Sequence, residues 1–228
     1  MSETEAHAEA RREAAPAVLV ALVLLVLLAL VSKQQGWHLL NRLPWWAWLL
    51  LAVPELVLVL DLLWTGKGPG GDRSRRSILG LLGLLVLGNL IALLILVAGL
   101  VTTSTTNLGG GELLLTAFVI WTTNVIVFGL WFWEVDLGGP VARAMRGHVR
   151  NGPDFEFPQD DNPDVKRHGW YPQLWDYLYV SLTNAIAFSP TDAMPLTRHA
   201  KALMGLESAI SVVTVLLVAA RAVNVLAA

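Results

Sequence analysis

The chain has 228 residues, of which 55% are hydrophobic and 15% charged, where a soluble domain carries about 25% charged residues. Sixteen Lys and Arg against eighteen Asp and Glu give a net charge of −2, which excludes a global basic field that would recruit nucleic acid. The lack of cysteine excludes disulfides, thiolate metal sites and cysteine nucleophiles, and the gathering of apolar residues into long runs reads as an all-α, polytopic membrane bundle.

Residues 1–16 are polar, contain Arg11 and Arg12, and read as a cytoplasmic amino-terminal segment. The first apolar run, Ala17–Ser32, gives about 24 Å of helix, which Ala14 and Ala15 lengthen toward the ~30 Å of a bilayer core. Lys33-Gln34-Gln35 follows without a small-x-small cleavage site, so a retained span is expected rather than a signal peptide. The second run, Trp45–Trp64, has Trp45, Trp46 and Trp48 at one end and Trp64 at the other, the placement of interfacial aromatic anchors. The third, Ile78–Val101, and the fourth, Glu112–Val135, are joined by an uncharged polar turn and should form an antiparallel pair. Residues 17–136 thus read as a four-span bundle. Residues 137–172, rich in Pro, Gly and acidic side chains and without apolar periodicity, read as a cytoplasmic loop with no core of its own. In residues 173–228 a short apolar block, Leu174–Pro190, is broken by Pro190 and Pro195 before a last run from Thr197 to Leu226. The expectation is five full spans plus one short or re-entrant helix.

Basic residues set the orientation. Arg11, Arg12, Lys67, Arg73, Arg75, Arg76, Arg143, Arg146, Arg150, Lys166 and Arg167 fall on one side, against Lys33 and Arg42 on the other. The amino terminus and both basic connections are therefore expected in the cytoplasm, and a bacterial inner membrane is the expected location. Arg143, Arg146 and Arg150 recur at helical spacing just past a span, where contact with anionic lipid headgroups competes with ordinary positive-inside topology.

Polar side chains inside spans carry the functional signal, because each is costly in hydrocarbon unless partnered. Glu55, Asn89 and Asn124 each lie ~15 to 18 Å from the end of their span, near the midplane. They are expected to meet in the bundle centre, as an ion pathway or as an interhelical hydrogen-bond clamp. In the last run Glu207, Ser211, Thr214 and Arg221 stay within about 40° of one another around a helix and form one polar stripe. Such a stripe must face protein or water.

From Trp175 to Leu226 the order is an aromatic helix, a Ser/Thr-rich turn, Asp192-x-x-Pro195-x-Thr197, and a long helix holding Glu207 and Arg221. This order resembles the pore module of two-span bacterial potassium channels. In that resemblance Tyr179 and Ser181 fall on the family's pore-helix Tyr and Ser, and Asp192 on the Asp that follows the filter. It implies a half-helix that carries Ser181, Thr183 and Asn184 toward the Glu55 region, with Ser189 in the filter position, and self-assembly, because one copy supplies one pore-type loop. Where the family's filter has glycines, this chain reads Ala187-Phe188-Ser189-Pro190-Thr191, so potassium selectivity through backbone carbonyls is not implied. The charge pattern also puts the start of Leu174–Pro190 inside, whereas the family's pore loops enter from outside. The whole chain resembles uncharacterised multi-span bacterial membrane proteins with a Tyr-rich segment before a Ser/Pro/Asp turn and a final helix.

His7, His38, His148, His168 and His199 have no H-x-x-H or H-E-x-x-H spacing, so no metal site is expected. Asp154, Glu156, Asp160, Asp161 and Asp164 lack the Gly and terminal Glu of a calcium loop and read as a solvated acidic surface. Gly66–Gly71 has no phosphate-loop pattern, and there is no G-x-S-x-G elbow, so neither enzyme nor cofactor is expected. The sequence favours a channel-like or transport-like role for a small ion in the lipid bilayer. The alternative is a non-conducting membrane protein that binds a cytoplasmic partner through its acidic loop.

Overall fold

A computed structural model describes residues 2–36, 44–64, 72–101, 110–145, 152–162, 164, 169–190 and 192–226. The long helices are α1 (Glu3–Gln35), α2 (Ala47–Trp64), α3 (Asp72–Val101) and α4 (Gly110–Val135). After a 3-10 turn at Asp136–Gly138 come α5 (Pro140–Ala144), strand β1 (Phe155–Glu156) and α6 (Pro158–Asp161). The chain ends with α7 (Leu174–Ala187), strand β2 (Met194–Pro195) and α8 (Arg198–Leu226). Four helical stretches are long and apolar enough to cross a membrane: Glu3–Gln35, Arg75–Ala98, Gly111–Gly138 and Arg198–Ala220. The all-α class holds, and four stretches able to cross a membrane are present among the described residues where five full spans were expected. Of the run Trp45–Trp64, Ala47–Trp64 is helical as α2 but is not one of the four.

Residues 1–16 are not a separate segment, because α1 begins at Glu3 and runs unbroken through Pro16. Ser2 starts it with a capping box: its hydroxyl accepts from Glu5 N at 3.3 Å, and Glu5 Oε2 accepts from Ser2 N at 2.7 Å, which satisfies two orphan donors. Gly36, at φ 66°, ends it in the left-handed conformation that glycine adopts without a Cβ clash. The buried face of α1 is Ala6, Ala10, Ala14, Val18, Ala21, Leu25 and Leu28, a three-to-four spacing that forms one stripe. Leu19, Val20, Val23, Leu27 and Leu30 point outward. Near its carboxyl end Lys33 Nζ lies 4.9 Å from the Trp45 ring centroid.

Helix α4 is central and lies against α1, α3, α7 and α8. At Gly129 a Cβ would sit 2.7 Å from Leu178 Cδ2 and 3.1 Å from Leu178 Cα, so glycine is what lets α7 approach this closely. Phe155 and Phe157 add to the bundle core, each being 1% exposed. Their rings continue a run from Phe132 through Phe155 (5.1 Å between centroids) to Tyr177 (6.1 Å), with Phe157 5.3 Å from Tyr177. Burying each phenylalanine contributes about 1.5–3 kcal/mol. Within the segment read as a loop, these two side chains therefore belong to the same core as the helices.

The path from α7 to α8 returns to where it began. Tyr177, in the first turn of α7, reaches Asp136 at the end of α4. After α7 the chain comes back so that β2 pairs antiparallel with β1, Phe155 opposite Pro195. Asp154, one residue before β1, donates its N–H to Asp136. Its carbonyl accepts from Leu196 N at 2.9 Å, and its carboxylate accepts from the Thr197 hydroxyl. Thr197 in turn caps α8 by accepting from Ala200 N at 3.2 Å. Both ends of residues 174–197 therefore sit at the carboxyl end of α4.

Candidate functional site

The end of α4 is held by two arginines. A helix leaves its last four carbonyls without intrahelical partners, and Leu137, Gly138 and Gly139 all take positive φ here (52°, 86° and 99°), so the helix cannot continue. Arg75 Nη2 donates to Glu134 O at 3.0 Å and to Val135 O at 3.2 Å. Arg143 Nη1 donates to Trp133 O and Asp136 O, both at 2.7 Å. Cations at this end also complement the helix dipole. Arg75 adds an ion pair with Glu134 Oε1 at 3.6 Å. Asp136 then uses its carboxylate to gather other elements, accepting from Asp154 N at 2.7 Å, Phe155 N at 3.3 Å and the Tyr177 hydroxyl at 2.5 Å.

Arg143, for which headgroup contact competed with ordinary positive-inside topology, is 4% exposed and lies with its guanidinium carbon 4.9 Å from the Tyr177 ring centroid. The short α5 turns it back onto the helix end, where the Trp133 and Asp136 carbonyls accept from it. Arg146 and Arg150 lie outside the described residues, as do the turns at 65–71 and 102–109. Beside this cap α1 docks on the start of α7. Tyr171 OH donates to Glu9 Oε1 and Leu174 N to Glu13 Oε2, each at 3.0 Å. Burial, followed by the bond to Glu9, raises the Tyr171 pKa above the usual phenol value, so it stays a donor.

Deeper in the bundle, the Glu207 side chain is fully buried. Its Oε1 is bonded to the Ser181 hydroxyl, and its Oε2 accepts from Asn184 Nδ2 at 2.6 Å. Ser181 Oγ also lies 2.7 Å from Val125 O. Asn184 Nδ2 reaches Met204 O at 3.0 Å, and its Oδ1 accepts from Ser208 Oγ at 3.1 Å. Asn124 Nδ2, from α4, donates to Ser211 Oγ at 3.2 Å and to Glu207 O at 3.4 Å. On the other side of α4, Thr123 Oγ1 donates to Asn89 Oδ1 at 3.2 Å. Polar side chains thus follow one another from α3 through α4 to α8 and α7, all buried except the half-buried Ser208.

The expected meeting of Glu55, Asn89 and Asn124 is replaced by a different grouping. Asn124 joins Glu207 and Ser211, Asn89 joins Thr123, and among the described residues no hydrogen bond links Glu55 to either asparagine. Helix α7 presents Ser181 and Asn184 to Glu207 rather than to Glu55, while Thr183 bonds back to Tyr179 O and Val180 O within its own helix. Thr214, also buried, bonds to Ile210 O. Ser189 is exposed beyond the end of α7, and Asp192 is half-buried, close enough to Asp176 to interact electrostatically. Arg221 is on α8, with its side chain outside what is described. Glu55 Oε2, Asn89 Nδ2 and Asn124 Oδ1 are each buried without a hydrogen-bond partner among the described residues. Of the acidic loop, Glu156, Asp161 and Asp164 are exposed, whereas Asp154 holds Thr197 and Asp160 Oδ2 accepts from Phe157 N at 3.2 Å. Among the described residues no group of three or more His, Asp or Glu is placed to hold a metal ion.

Sequence reasoning missed Arg75, Glu134, Asp136 and Tyr177. A signal for them existed: Glu134 and Asp136 close an apolar helix just before Gly138-Gly139-Pro140, and acids at a helix carboxyl end call for compensating cations.

Known protein families, curated proteins and solved structures include no match to this chain.

Proposed function

We propose that this chain is a multi-span membrane protein with a transport-like role for a small ion, and that the Glu207 carboxyl is the group that exchanges it. The observation that carries this reading is the Ser181 hydroxyl. It has one hydrogen, yet two oxygens lie within bonding distance, Val125 O and Glu207 Oε1. Val125 O can only accept, so both bonds exist together only when Glu207 supplies a hydrogen of its own. A proton is therefore the ion that best fits the site. The unpartnered atoms of Glu55, Asn89 and Asn124 support it, because buried polar atoms without protein partners are where water or an ion is accommodated.

In this reading α2 is a fifth full span, since its 18 residues make about 27 Å of helix, and α7 re-enters the membrane from the side on which α4 ends. Arg198 and Lys201 then join the basic connections on the cytoplasmic side, with the amino terminus also inside a bacterial inner membrane. The deciding experiment is flux through purified protein in liposomes under H⁺, K⁺, Na⁺ and Cl⁻ gradients. Flux in the wild type that Glu207→Gln abolishes supports the proposal; flux that is absent for every ion, or unchanged in folded Glu207→Gln, refutes it.

A second reading is a non-conducting protein that docks a cytoplasmic partner. The outward placement of Glu156, Asp161 and Asp164 favours it. Partner capture that is lost on reversing these three charges, together with silent liposomes, would establish it.

A further inference from the structure

Helices α1, α4 and α7 leave a lateral groove of about 700 Å³ between them. Pro16, Ala17 and Val20 form one wall, Leu178 and Leu182 the other, and Val125 with Ile126 the floor. The groove exists because α1 presents small side chains at Pro16 and Ala17 while Gly129 draws α7 inward onto α4. At one end this apolar trough opens among Glu9, Arg12, Glu13 and Gln173. The charges at this mouth are not equivalent. Glu9 is bonded to the Tyr171 hydroxyl and Glu13 to Leu174 N, whereas Arg12 is exposed and makes no hydrogen bond or ion pair among the described residues. Trp175 and Tyr179, 79% and 53% exposed, flank the mouth as aromatic side chains do at headgroup level.

We infer that this groove holds one phospholipid, its phosphate on Arg12 and an acyl chain between α1 and α7. Along α1 the groove runs from Glu9 to Val20, about 16 Å of helix, which matches the hydrocarbon depth of a single leaflet, about half of ~30 Å. An apolar trough with a free cation at its rim fits an amphiphile bearing an anionic phosphate. The site is independent of whether Glu207 carries an ion and requires only that these helices lie in a bilayer.

The test is native mass spectrometry of the full chain, released from detergent after titration with phosphatidylglycerol or with diacylglycerol of the same chains. Val20→Trp fills the groove from a position 50% exposed, and Leu19→Trp adds the same bulk on the outer face of α1, beyond the groove. The wild type and Leu19→Trp should retain one phosphatidylglycerol, and Val20→Trp should lose it. Arg12→Gln should weaken retention about fivefold, the worth of one basic residue at a lipid surface. Should Val20→Trp fail to fold, Leu182→Trp closes the groove from the opposite wall. Equal retention by all variants, equal retention of diacylglycerol, or a protein dimer appearing in place of the lipid adduct would overturn the inference.

Discussion

Asn184 on α7 places its amide nitrogen 2.6 Å from Glu207 Oε2 on α8, with both side chains buried. One short helix thereby supplies a partner for each oxygen of a buried carboxyl, Ser181 for one and Asn184 for the other. The arrangement makes α7 a structural complement of α8, and the two are expected to respond together to substitution.

Asn184→Leu leaves Glu207 Oε2 buried without its donor and should destabilise the protein by about 1–3 kcal/mol. Glu207→Gln preserves the shape and retains an acceptor for Asn184 and a donor for Ser181, so it should cost less. Thermal unfolding in detergent checks the order; a Glu207→Gln midpoint below that of Asn184→Leu would contradict it.

The two arginines at the end of α4 differ in burial, with the Arg75 side chain 34% exposed and Arg143 only 4% exposed as a residue. Each bonds two carbonyls, and hydrogen bonds to charged groups contribute about 1.5–3 kcal/mol. Solvent screens the exposed one, so Arg143→Met should be the more damaging. Hydrogen exchange should rise first at Asp154 and Phe155, whose amides hang on Asp136. Unchanged protection there in Arg143→Met would show that the cap does not organise the β1 segment.

Gly129→Ala puts a methyl 2.7 Å from Leu178 Cδ2 and 3.1 Å from its Cα. Because the second neighbour is backbone, α7 must shift, at a cost of about 1–3 kcal/mol. Leu178→Ala in the same chain should recover part of the loss by removing the side-chain clash. A double variant no more stable than Gly129→Ala would place the conflict wholly in the backbone.

The topology proposed here is checked by single cysteines, since the chain has none of its own. Gln35, Asp161 and Met194 are all exposed. With α7 re-entrant, cysteines at Asp161 and Met194 should react with an impermeant maleimide from the same, cytoplasmic side, and one at Gln35 from the other. Labelling of Met194→Cys from the side of Gln35 would make α7 a full span.

The helical class and the position of the long apolar helices were legible in the sequence alone. Apolar runs of membrane length call for helices, because no other open structure satisfies its backbone in hydrocarbon, and the runs Ala17–Ser32, Ile78–Val101, Glu112–Val135 and Thr197–Leu226 each overlap one of the four helical stretches long and apolar enough to span. Partners were decided only by the tertiary structure. Asn124 faces Ser211 rather than Glu55, and Arg143 turns back onto the end of α4, because helix rotation and a turn at Leu137–Gly139 set those directions. Length and hydropathy do not encode either. The path of residues 174–197 depends likewise on β1 pairing with β2 across 39 residues, a contact that no local periodicity announces. Spacing along one helix fixes which side chains share a face; which neighbouring helix they meet follows from small residues such as Gly129, whose effect appears only once two backbones are close.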